Sequence, residues 1–122
     1  EIFLDEDPVD GKYYHLGYNT RGSVFESRVD PTGTVAGAAG WRSDSRARTV
    51  INAKQNWTAE IAIPWQNVAG GSVVAGKKWR LNVCRNRWTA KDRVEYTNWS
   101  VCGGGFHTPA RFGKMTFSEV GR

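Results

Sequence analysis

Two groups of residues in this 122-residue chain are spaced for chemistry. Asp5, Asp7 and Asp10, followed by Gly11, bring three carboxylates into one short turn. Calcium is a hard cation that takes several such oxygens, so the turn is a candidate calcium site. Its spacing departs from an EF-hand, because the glycine comes at the wrong place and no closing glutamate follows. Cys84 and Cys102 would roughly face each other across a hairpin turning near Ala90 to Arg93, with one bulge absorbing the offset. They form either a disulfide, which an extracellular origin permits, or two free thiols. His15 and His107 are the chain's two histidines, and neither lies in a nucleophile or metal-ligand motif. Glu60 and Glu95 suit the polar sides of strands better than the paired carboxylates that glycoside hydrolysis requires. The chain is therefore expected not to be an enzyme.

The elements that must position these groups are strands. Trp57, Ala59, Ile61 and Ile63 alternate with Thr58, Glu60 and Ala62, the period of a half-buried strand. Trp79, Leu81 and Val83 alternate with Arg80, Asn82 and Cys84, and the second face continues through Asn86 to Trp88. Further strands are expected over residues 2–4, 12–18, 23–28, 48–54, 94–101 and 114–117, each rich in β-branched or aromatic residues. Asp10-Gly11, Arg21-Gly22, Asp30-Pro31, Gly70-Gly71 and Gly103-Gly104-Gly105 fall between them as turns. Pro64 to Val68 has the makings of one helical turn, with proline at its start. Residues 31–45 read as a long loop. The expected fold is a single all-β domain, an antiparallel β-sandwich.

Composition narrows the function classes. Charged residues at 24% and aromatics at 12% exclude a disordered polar tail. No apolar run approaches the roughly 18–20 residues of a membrane helix. Bases outnumber acids 17 to 12, and five acids lie in residues 1–10, so the remainder is distinctly basic. Arginines gather at Arg42, Arg46 and Arg48, and again at Arg80, Arg85, Arg87 and Arg93. No RNA-recognition, zinc-finger or helix-turn-helix signature accompanies them, so the charge reads as an ordinary basic surface rather than a nucleic-acid site. The six tryptophans imply a large aromatic core, a stacking surface, or both.

Several segments, in order along nearly the whole chain, resemble the family 9 carbohydrate-binding modules. They are Glu1-Ile-Phe-Leu-Asp5 with Tyr13-Tyr14 behind it, residues 57–65, residues 79–87, Asn98-Trp99-Ser100, and residues 106–113 before a closing strand. The resemblance implies a jelly-roll-like sandwich that is non-catalytic and rides on secreted xylanases or similar glycoside hydrolases. An extracellular or periplasmic location follows from it, as does structural calcium. It also implies that the chain corresponds to the C-terminal two-thirds of such a module and lacks its N-terminal strands. A sandwich so shortened would be incomplete, or completed by pairing in a homodimer.

Sugar rings pack their C–H faces on aromatic rings while their hydroxyls need fixed polar partners. Phe106, on a glycine-rich loop beside His107, matches the family's clamping ring, and Glu1 matches its sugar-binding carboxylate. Trp88 is the further stacking candidate, and His15, Asn19, Asn82, Asn86 and Asn98 are the candidate polar partners. Trp41, Trp57, Trp65, Trp79 and Trp99 are assigned mostly to packing. Gly17 and Cys84 stand where the family has an arginine and a glutamine for the sugar, so a decayed site serving a structural or interaction role is one alternative. A haem-binding relative using Met115 is another, and single-stranded nucleic-acid binding on a sheet face is a third.

Overall fold

The computed structural model describes residues 1–36, 40–53, 56–70 and 73–119. Among them run nine strands: β1 (Ile2–Asp5), β2 (Tyr13–Tyr18), β3 (Val24–Val29), β4 (Val35–Ala36), β5 (Arg46–Ile51), β6 (Trp57–Ala62), β7 (Lys78–Ala90), β8 (Arg93–Asn98) and β9 (Gly113–Thr116). A short helix, α1 (Trp65–Ala69), follows β6. Gly70 ends it at φ 61°, a left-handed turn that glycine adopts without steric cost.

The fold is all-β and antiparallel, with two sheets, as the strand periodicity predicts. The larger sheet runs β4-β3-β2-β1-β7-β8, with β9 also paired to β7. The smaller is the β5–β6 hairpin, in register from Arg46 opposite Ala62 to Ile51 opposite Trp57. β1 sits at the centre of the larger sheet, and its sequence shows why: Phe3 and Leu4 point to opposite faces and both are buried. A strand apolar on both faces needs cover on both. Phe3 joins Tyr13, Val29, Cys84 and Phe112 in one cluster, while Leu4 joins Leu16, Val68 and Trp79 in another.

The alternation expected from Trp79 through Trp88 is carried by one strand, β7, and one departure from the sequence reading bears on the site. The segment expected as a loop over 31–45 contains β4, and its later part is fastened rather than loose. Ser43 donates to the buried Glu26 carboxylate through its amide (3.0 Å) and hydroxyl (2.6 Å), and Arg42 pairs with the same carboxylate at 2.7 Å. No described helix is long and apolar enough to cross a membrane.

Candidate functional site

The site is built on the long β7–β8 hairpin. Its register sets Cys84 opposite Asn98, Asn86 opposite Tyr96 and Trp88 opposite Val94. Directly opposed residues share a face, so Asn86, Trp88 and Tyr96 stand together. Trp88 is 69% exposed and Tyr96 65%, although both are large aromatics. Two such rings left in water on one face make that face a candidate interaction surface.

Glu1 meets this face from β1. Its backbone continues the β1–β7 ladder, its nitrogen donating to the Cys84 carbonyl (2.7 Å) and the Cys84 amide to the Glu1 carbonyl (2.9 Å). Its carboxylate bridges two strands: Oε2 meets His15 Nε2 on β2 at 2.8 Å, and Oε1 accepts from the Asn86 amide on β7. Beyond this point Arg85 to Ala90 have no strand on the β1 side among the described residues.

That free edge borders a cleft of about 1020 Å³. Trp57 and Ile61 of the β5–β6 hairpin line it from one side, and Phe25, Glu1, Asn86 and Trp88 from the main sheet. Gly17 lies opposite Phe25 in the β2–β3 register and lines the cleft beside it. Glycine there adds no side chain between that ring and the opening.

His15 forms part of the cleft wall and is 8% exposed. It stacks on Phe3 (ring centroids 4.3 Å, 11° between planes) and meets Phe25 and His107 edge-on at 5.1 and 4.9 Å. Burial among these rings lowers its pKa below the ordinary histidine value, against the pull of the Glu1 carboxylate.

The other residues singled out from the sequence divide clearly. Phe106 and His107 are not among the residues that line the cleft. Phe106 packs on Phe3 (6.3 Å) and edges onto Tyr96 (5.9 Å), and His107 Nδ1 lies 2.8 Å from the Tyr13 hydroxyl. Asn82 is fully buried, and its side chain is spent within the protein. Its amide donates to the Ser100 carbonyl (3.0 Å) and Cys102 Sγ (2.9 Å), and its oxygen accepts from the Ser100 amide (2.9 Å). It fastens a loop and presents nothing to a ligand.

Cys84 and Cys102 are free, buried thiols. Asn98 rather than Cys102 stands opposite Cys84 in the β7–β8 register, and Cys102 reaches the Cys84 thiol from the loop after β8, which also brings its Sγ to the Asn82 amide. Burial, with Cys102 next in importance, pushes the Cys84 thiol up to about 11.

Among the described residues no three His, Cys, Asp or Glu side chains are grouped to hold a metal ion. Asp7 accepts from the Val9 amide at 3.1 Å, and Asp10 accepts from the Lys12 amide at 2.8 Å. Asp5 is buried, with one carboxylate oxygen lacking a hydrogen-bond partner.

Among the tryptophans, Trp79 is core at 1% exposure. Trp99 is 60% exposed, its ring covering Gly113, where an added Cβ would come within 2.3 Å of it. Trp57 is half-buried on the cleft wall rather than packed away. Met115 packs against the Trp79 cluster, in contact with core rather than a haem pocket. Trp57, Phe25, Tyr96 and Arg85 escaped the sequence reading as site residues. For Tyr96 the signal was partial: a turn at Lys91-Asp92 alone sets Thr97 opposite Asn86, and the bulge between Trp88 and Ala90 moves Tyr96 there.

Comparison of the chain with protein-family models, curated proteins and solved structures finds no match.

Proposed function

We propose that this chain is a non-catalytic carbohydrate-binding module whose cleft holds a polysaccharide or oligosaccharide. It would act outside the cell or in the periplasm, as an accessory to polysaccharide-degrading enzymes. The observation that carries the reading is the meeting of Trp57, Trp88 and Phe25 with Asn86 and the Glu1 carboxylate in one open cleft. Aromatic faces take the C–H side of a sugar ring, and fixed amide and carboxylate groups take its hydroxyls. The likeness in order and spacing to the family 9 modules supports the same function. The cleft is large enough for a ligand of more than one ring. Glu1 is the carboxylate among its described lining residues, whereas glycoside hydrolysis takes two, which favours binding over chemistry.

Retention on insoluble polysaccharides and a glycan array test the proposal, with wild type compared against Trp88→Ala and Phe106→Ala. Trp88 is exposed, so its removal should leave the fold intact and weaken retention about tenfold or more, a loss of about 1.4 kcal/mol. Phe106→Ala should act mainly through stability, since its ring packs on Phe3. Absence of retention on every glycan, or equal retention by Trp88→Ala, would refute the assignment of the cleft.

A further inference from the structure

We infer that the sugar this cleft selects is acidic, its carboxylate received by the guanidinium of Arg85. The inference rests on the sugar-binding reading above and narrows it to a substrate class.

The charged groups bordering the cleft are few. Both oxygens of the Glu1 carboxylate are engaged, one by His15 and one by Asn86. Arg85 is different. It lines the cleft, is exposed, and has no carboxylate within 4 Å among the described residues. Two residues on, Arg87 is paired with Glu95 at 3.4 Å, so the protein satisfies one of these neighbouring arginines and leaves the other to solvent.

Position along β7 also keeps the opposing charges apart. Arg85 lies on the face shared with Val83, whereas Glu1 is tied to Cys84 and Asn86 on the other face. An anionic ligand can therefore reach Arg85 without pressing against Glu1. A guanidinium presents a planar fork of donors that matches a carboxylate bidentately, which a hydroxyl cannot reproduce. Ile2, Val83 and Ile61 nearby are apolar, and low-dielectric walls strengthen such a pairing. The net charge of +5 adds a long-range attraction for a polyanionic chain. A neutral glycan would use the aromatic rings and amides equally well but would leave Arg85 without a role.

The test is titration calorimetry of the full chain with oligogalacturonate, glucuronoxylo-oligosaccharide and their carboxyl-reduced neutral counterparts, with polyglutamate as a non-sugar polyanion. At least one acidic oligosaccharide should bind about tenfold more tightly than its reduced form, and the two uronates distinguish which acidic polymer is the source. Arg85→Gln should bring acidic and reduced forms to the same affinity, and Arg85→Lys should restore part of the difference. Trp88→Ala should weaken both forms together. Added salt should erode the acidic preference while leaving neutral binding nearly unchanged. Equal affinity for acidic and reduced sugars, or a preference unaltered in Arg85→Gln, would overturn the inference while leaving the sugar reading standing. Polyglutamate bound as tightly as the uronates would overturn it too, showing a general anion site. Failure of every oligosaccharide, acidic or neutral, would remove both readings.

Discussion

His15 and Asp5 are buried titratable groups whose environments push stability in opposite directions with pH. For His15, burial favours the neutral ring, so its folded-state pKa lies below the 6.5 of the unfolded chain. The unfolded state then takes the proton first, and His15's contribution is lost as pH falls through 6.5 toward the folded value. For Asp5, desolvation outweighs the nearby Arg80 and raises the carboxyl from 3.8 to about 6. Its contribution is complete below 3.8 and is lost as pH rises through about 6. Asp5→Asn should therefore stabilise the protein at pH 7.5 by up to about 3 kcal/mol and change little at pH 3.5. Urea unfolding at the two pH values checks this, and a constant difference between variant and wild type would sink it. An NMR titration of the His15 ring should show its midpoint below 6.5. Neither environment was legible in the sequence. Asp5 read as one of three surface carboxylates, because no alternation pattern shows that the first acid ends a central strand, buried opposite Arg80, while the next two cap their own loop amides.

The β7–β8 hairpin was the most legible element and also the one whose residues were most easily misassigned. Period-two alternation put Asn82, Cys84, Asn86 and Trp88 on one face, and the structure agrees. Their fates nonetheless divide along the strand. The chain leaving β8 folds back over its first half, burying Asn82 and Cys84, while Asn86 and Trp88 run past that cover into solvent. Alternation reports which face a residue occupies and is silent on how far along the strand the cover extends. The consequence is testable at Asn82, which holds both backbone groups of Ser100 and so anchors the loop carrying Phe106 and His107. Asn82→Ala leaves those groups unpaired at a partly buried site, at a cost of about 1–3 kcal/mol. It should also open residues 100–108 to limited proteolysis before the rest of the domain. Cleavage first in the β2–β3 turn would show that Asn82 does not govern the loop.

Across the whole molecule, two layers of unequal width explain why tryptophans of similar sequence context do different work. The β5–β6 hairpin is the narrow layer. Thr49 Oγ1 reaches the Thr20 carbonyl on the β2–β3 turn at 3.2 Å, tying the hairpin to that side of the larger sheet and leaving the cleft along β6 toward β7. Trp57 and Trp79 both open alternating strands and both read as packing residues. Trp79 falls under the closed part of the sandwich, with Trp65 and Phe117 edge-on at 5.2 and 5.0 Å. Trp57 falls at the cleft, with no aromatic partner among the described residues. Which layer stops short, and where, depends on long-range pairing that a local pattern does not encode. Trp79→Ala should therefore cost about 3–5 kcal/mol, as deletion of a fully buried aromatic does. Trp57→Ala should cost no more than about 1.5 kcal/mol and instead weaken retention on the bound glycan. Guanidinium melts and polysaccharide retention of the two variants, measured side by side, separate these outcomes. Equal destabilisation would mean that Trp57 is core and that the cleft closes in solution. Loss of binding without loss of stability in Trp57→Ala alone would mean that the sandwich is held open for a ligand.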